Sequence, residues 1–329
     1  MDLLRRKAAV LAAEELDDDA AGAPATSAFG AHPVEHVIRP CFRHDDNDTR
    51  SQRRASLAIM HVLFLVVLLA LAGCGGGSGE DSKTVVAAFY PLAWAAEQIA
   101  AEGVEVVNLT PPGAEPHDVE LSPRDVETIR DAHLVIYASG GFQPAVEDAV
   151  SGREGLSVDV LDGEPDPHVW LDPVRFAEVT RSIGRALERP GPAALLADEL
   201  SRLDQSYRLG LERCERRTVV TSHAAFGHLA ARYGLTQLSL TGSSPEAEPG
   251  PRELEGLIDD VRASGATTVF SEPLVSDRVA ETVAREAGAE VAVLDPLEGL
   301  SADRLAAGDD YLTAMRANLA ALRKALMCR

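Results

Sequence analysis

Three histidines and one aspartate carry the chemistry most readily read from this 329-residue chain: His117, His168, His223 and Asp295. Each follows a short aliphatic run, so each falls on a turn just past the end of an expected strand. Imidazole nitrogens and a carboxylate oxygen are the donors of a tetrahedral Zn²⁺ site. The four are separated by 51, 55 and 72 residues, unlike the compact His-Glu-x-x-His signature of a single helix. Spacing alone therefore leaves two readings open: one metal centre assembled from distant loops, or ordinary polar loop residues. Ligands of open α/β sheets bind outside the carboxyl ends of the strands. Two of the four lie in each half of the chain, which would place a shared site in a cleft between the halves.

The surroundings of these residues suggest how they are held. His168 lies in Asp166-Pro167-His168-Val169-Trp170-Leu171-Asp172-Pro173, where two prolines fix the backbone and Trp170 and Leu171 offer apolar surface to pin the loop. Asp172 is placed to cap the helix that follows, and Glu120 to orient His117. Glu272 ends a strand as Asp295 does, and reads as a remote ligand or an outlying base. His228 is five residues beyond His223, about 140° around a helix, and should face elsewhere.

The elements that must position these groups alternate between strand and helix. Strands are expected at 84–89, 104–109, 134–137 and 156–161, with helices at 91–101, one opening at Ser122-Pro123-Arg124-Asp125, and others at 142–150 and 173–187. The last of these stops at Pro190-Gly191-Pro192. A long helical run, 193–213, then breaks the alternation, and a second series follows. It has strands at 218–221, 238–241, 267–270 and 290–294, and helices at 223–233, 252–264, 276–287 and 309–327. The pattern predicts an α/β fold: two open parallel-sheet lobes, 84–191 and 217–329, joined by one long backbone helix within 192–216. A helix beginning at His223 would direct its positive dipole end toward a cation, which the Asp295 charge can offset.

Composition narrows the function. The formal charge of −21 and 46% hydrophobic content describe a chain able to bury a core but too acidic for a nucleic-acid binder. Residues 1–73 read as a disordered extension, or sequence ahead of the true start, followed by a secretory signal. The signal combines Arg53-Arg54, an apolar run from Leu57 to Leu71, and Leu71-Ala72-Gly73-Cys74. That last segment resembles the bacterial lipobox, in which Cys74 would be acylated, with 74–83 as a flexible glycine- and serine-rich tether. Cys41 falls in the discarded segment. Cys214 and Cys328 remain as a pair for a disulfide in an oxidising compartment.

Four segments resemble, in order, the metal-binding motifs of the zinc/manganese ABC-transporter solute-binding family. They are Pro116-His117-Asp118-Val119-Glu120-Leu121-Ser122-Pro123, the His168 segment above, Thr221-Ser222-His223-Ala224-Ala225-Phe226-Gly227, and Leu294-Asp295-Pro296-Leu297-Glu298-Gly299-Leu300. Ser271-Glu272-Pro273 and Glu246-Ala247-Glu248-Pro249 also resemble stretches of that family. The resemblance implies an extracytoplasmic, lipid-anchored, monomeric binding protein that hands one divalent ion to an ABC permease. It places His117, His168 and His223 on the three nitrogen-ligand positions and Asp295 on the carboxylate position. Imidazole at the third position, where manganese carriers often have Glu, favours Zn²⁺ over Mn²⁺. It also implies little lobe movement about a rigid connecting helix. The short interval Gly163-Glu164-Pro165-Asp166 lacks the histidine-rich loop of many zinc members, and Ala224 replaces an Asp common beside the third ligand. The competing readings are a secreted zinc hydrolase with Glu272 as general base, and an adhesin on the same scaffold.

Overall fold

The computed structural model describes residues 83–242, 245 and 249–329. The signal sequence, Cys41, Cys74, the tether up to residue 82 and Glu246-Ala247-Glu248 lie outside the described residues.

Two four-stranded sheets, both wholly parallel, carry the fold. The first has the order β2-β1-β3-β4, from β1 (Thr84–Ala87), β2 (Glu105–Asn108), β3 (Leu134–Tyr137) and β4 (Leu156–Asp159). The second repeats that order as β6-β5-β7-β8, from β5 (Thr218–Thr221), β6 (Thr236–Ser239), β7 (Thr268–Ser271) and β8 (Glu290–Val293). The central strands β1 and β5 share the same pattern, one half-buried Thr followed by three buried residues, as expected for strands covered on both faces.

The helices cover these sheets. In the first lobe they are α1 (Tyr90–Ile99), α2 (Pro123–Asp131), α3 (Pro144–Ser151) and α4 (Pro173–Ala186). Helix α1 is buried almost all round, because its Leu92, Ala93, Trp94, Ala95, Ala96 and Ile99 are apolar on every side. Ser122 and Asp125 close a reciprocal capping box on α2. Asp172 caps α4 by accepting from the amides of Val174 and Arg175.

Helix α5 (Pro190–Leu211) runs for 22 residues between the two sheets in sequence, about 33 Å at 1.5 Å per residue. The expected stop at Pro190-Gly191-Pro192 is corrected: these residues are its first turn. Proline fits there because the first amides of a helix have no internal partner. Ala193, Leu196, Ala197, Leu200, Leu203, Tyr207 and Leu211 form its buried stripe. A Cβ at Gly184 would lie 2.2 Å from the Cβ of Ala193, so only glycine lets α4 pack this closely against α5.

The second lobe holds α6 (Gly227–Tyr233), α7 (Pro251–Ser264), α8 (Arg278–Ala287), the short α9 (Ala302–Ala306) and α10 (Tyr311–Ala325). Helix α6 begins four residues later than expected, leaving His223 on a turn rather than at a helix start. Strand β6 begins two residues earlier than expected. Both lobes share one hydrophobic core, running from the first sheet through α4 and α5 to α6 and α10. Tyr311, at the start of α10, has Trp94 and Phe176 of the first lobe as ring neighbours, at 4.9 and 4.8 Å. A second, smaller cluster of Val220, Val269, Val261, Val283 and Ala284 lies under α7 and α8. Cys214, just past α5, is joined to Cys328 by a disulfide. Among the described residues no helix is long and apolar enough to cross a membrane.

Candidate metal centre

Each residue of the centre comes from the turn after a strand, and each is held differently. His117 follows β2 in a 3₁₀ turn, Pro116–Asp118, where the Glu115 side chain accepts its backbone amide at 3.3 Å. The carboxylate that steadies this turn is thus Glu115. The His117 ring meets Phe142 edge-on at 4.5 Å.

His168 follows β4 and is buried. Asp166 accepts from its backbone amide at 3.1 Å and from ring Nδ1–H at 2.7 Å with the same oxygen. The 3₁₀ turn Val169–Leu171 is pinned by Trp170, whose indole N–H donates to the Pro296 carbonyl at 2.8 Å.

His223 follows β5 and is also buried. Glu272, at the tip of β7, accepts from its Nδ1–H at 2.6 Å and from its amide at 3.1 Å. Glu272 is therefore the carboxylate behind the third histidine, a place the sequence left unfilled at Ala224.

The two Nδ1 contacts fix which nitrogen faces inward. The Nε2 atoms of His168 and His223 lie 3.0 and 3.2 Å from Oε1 of Glu298, and that of His117 lies at 3.5 Å. One ligand atom from each of these four residues falls within 4.8 Å of the others. His117 Nε2 is buried there without a hydrogen-bond partner. An unsatisfied buried nitrogen, aimed with two others at one carboxylate oxygen, fits a cation better than it fits a finished hydrogen-bond network.

Asp295 stands apart from this group, which corrects the expected carboxylate. Its Oδ1 accepts the Leu297 amide at 2.7 Å, and its Oδ2 pairs with Arg304. The Asn318 side chain brackets its backbone, accepting from Asp295 N–H at 2.9 Å and donating to Asp295 C=O at 2.7 Å. Leu297 takes φ +58°, a left-handed turn uncommon outside glycine. The chain thereby turns at Leu297, and Glu298 is the carboxylate that reaches the histidines. Asp295 and Glu298 share one sequence segment, and the only nearby clue separating them is Arg304, nine residues on, which engages the aspartate.

The electrostatics follow from this packing. Burial alone would raise the Glu298 pKa, but the three surrounding imidazoles hold it well below the ordinary carboxylate value. Burial alone would lower His223, yet the hydrogen bond to Glu272 and the proximity of Glu298 push it up to about 10. His168 is raised against the same burial effect by Asp166 and Glu298. Glu115 is pushed up to about 8 by burial and by the Glu298 charge.

The sequence model described as zinc-uptake complex component A, periplasmic (ZnuA) matches residues 85–325. The zinc-binding protein AdcA of Streptococcus pyogenes serotype M1 is 32% identical over 288 residues, covering 74% of this chain and 56% of that protein. The chain thus spans little more than half the length of the streptococcal relatives it matches. The high-affinity zinc uptake system protein ZnuA of Bacillus subtilis is 31% identical over 317 residues, 84% of this chain and 98% of that one. Among solved structures, the Zn(II)-bound ZnuA-like domain of Streptococcus pneumoniae AdcA superposes with a TM-score of 0.65 at 32% identity, covering 74% and 99% of the two chains.

Proposed function

The chain belongs to the family of the periplasmic zinc-uptake component ZnuA, and from that premise we propose that it captures Zn²⁺ outside the cytoplasm and delivers it to an ABC permease. The observation that carries this is the convergence of His117, His168 and His223 Nε2 on Glu298 Oε1. Three imidazoles and one carboxylate are a tetrahedral zinc donor set. Zn²⁺ with an ionised Glu298 leaves the centre near +1, and Asp166 and Glu272 lie directly behind two of the rings. Mn²⁺ prefers more oxygen donors, so zinc is the favoured cargo.

A carrier is favoured over a hydrolase on two grounds. All four donors come from the protein, leaving no place for a reactive water. Glu272, the base a hydrolase would need, is occupied with both hydrogen bonds to His223. Acylation at Cys74 would hold the protein at the outer face of the membrane, and each monomer would carry one ion.

Calorimetric titration of the metal-stripped protein with Zn²⁺ and with Mn²⁺ tests the proposal. The expected result is saturable binding of one zinc, tighter than manganese and lost in His223→Ala. Zinc binding that is weak, or indifferent to that substitution, overturns it.

A further inference from the structure

One face of a second-lobe helix grips the His168 segment at both ends. His228 and Arg232 are four residues apart on α6 and share a side of it. Ahead of His168, the Nε2–H of His228 donates to the Asp166 carbonyl oxygen at 3.0 Å. Asp166 is also the residue whose carboxylate holds His168 Nδ1. Beyond His168, Arg232 Nε lies 3.2 Å from Oδ1 of Asp172, the cap of α4. The same nitrogen lies 2.7 Å from Oδ1 of Asp204 on α5, which also accepts from the Tyr233 hydroxyl at 3.1 Å.

Helix α6 is in turn continuous with the His223 turn. It starts at Gly227, and Ala225, Phe226 and Leu229 bury that junction in the shared core. The His168 and His223 rings stand 5.4 Å apart between centroids. One short helix thus links the two, joined to His223 through the chain and to the segment around His168 through two side chains.

We propose that His228 and Arg232 are positioning residues of the metal centre: by clamping residues 166 and 172 onto α6 they fix the spacing of His168 and His223, and with it the preference for a small tetrahedral ion. The inference rests on the reading of the four converging residues as one metal site. Zn–N bonds are about 2.0–2.1 Å, so two imidazoles on one zinc must be held close. A loosened pair accommodates longer bonds and added water ligands, which suits a larger, harder ion. Neither residue belongs to the converging ligand group.

The test uses Arg232→Gln, Asp172→Asn, His228→Ala and His228→Gln in the full chain. Asn retains the cap of α4 while losing the charge that Arg232 engages. Readouts are Zn²⁺ affinity by chelator competition, Mn²⁺ affinity by calorimetry, the visible spectrum of the Co²⁺-substituted protein, and thermal unfolding. Arg232→Gln and His228→Ala should each weaken zinc by about 10- to 100-fold, weaken manganese less, and dim the intense tetrahedral Co²⁺ bands. His228→Gln keeps a donor for the Asp166 carbonyl and should restore most of the affinity. A lowered melting temperature with unchanged zinc affinity and an unchanged Co²⁺ spectrum would show these residues only brace the fold, and would overturn the proposal. Should Arg232→Gln fail to fold, Asp172→Asn decides by the same criteria. Absence of His223-dependent zinc binding in the unaltered chain would instead overturn the reading of the centre itself, and this inference with it.

Discussion

Glu272 receives two hydrogen bonds from His223, one from the ring and one from the backbone amide, at 2.6 and 3.1 Å. The tip of β7 thereby aims a ring that belongs to β5. A carboxylate in this position also makes the imidazole a stronger donor to a metal. Glu272→Gln should lower zinc affinity by about 10- to 100-fold while leaving the fold intact. Chelator competition alongside far-ultraviolet circular dichroism measures both, and an unchanged affinity would remove Glu272 from the working centre.

Glu298 and Asp295 should separate cleanly on substitution. Glu298→Ala deletes the oxygen that all three histidines face, and the expected loss of zinc affinity exceeds the roughly 100-fold upper range of an orienting residue. Asp295→Asn keeps an acceptor for the Leu297 amide and weakens only the Arg304 pairing, so its loss should be smaller. Parallel titrations decide the matter: equal losses would return Asp295 to the ligand set.

Acid should weaken zinc binding, and the effect should reach well above the ordinary imidazole range. His223 is pushed up to about 10 in the ion-free protein, so a proton must leave before zinc can bind. Each proton displaced costs about tenfold in affinity per pH unit below the raised pKa. In the ion-free fold the His223 contribution runs in the opposite sense. A raised His223 stabilises it fully below the ordinary value of 6.5, and that contribution is lost as pH rises toward about 10. A depressed Glu298 stabilises it above the ordinary 4.5, and that contribution is lost as pH falls. Melting curves with and without zinc, from about pH 6 to about pH 9, should show a zinc-dependent stabilisation that grows with pH.

The Cys214–Cys328 disulfide spans 114 residues and should act on stability alone. Chain-entropy arguments give up to roughly 4.7 kcal/mol for a loop of this size, with measured values often lower. Replacing both cysteines by serine should lower the denaturant midpoint and leave zinc affinity unchanged. Arg216 N–H still donates to Leu326 C=O, and Arg329 N–H to Arg213 C=O, so the C-terminal end stays attached. A large loss of affinity would show that the tie reaches the centre.

Much of this architecture is written in local patterns. Alternating aliphatic runs and capped helices placed eight strands in two parallel series, and Ser122 and Asp172 cap their helices as their sequence positions suggest. The misplacements share a cause, which is that tertiary packing overrides local signals. Pro190 and Pro192 look like a stop, yet the buried stripe of α5 draws them into its first turn. His223 looks like a helix start, yet its amide and ring are committed to Glu272, and the helix is delayed to Gly227. At the centre, the loop histidines were visible because imidazoles after strand ends are chemically conspicuous. The choice of Glu298 over Asp295 was not, since it depends on Arg304, Asn318 and the backbone turn at Leu297. Glu272 lies 49 residues from His223, and no local pattern pairs them.

Tyr311 closes a ring stack whose other members, Trp94 and Phe176, are laid down more than a hundred residues earlier. A chain made from its amino end carries that aromatic pocket open until α10 is added. Helices α1 and α4 gain this aromatic neighbour only from the last long helix. An interrupted or clipped chain that lacks α10 would leave those rings uncovered, as an adhesive apolar surface.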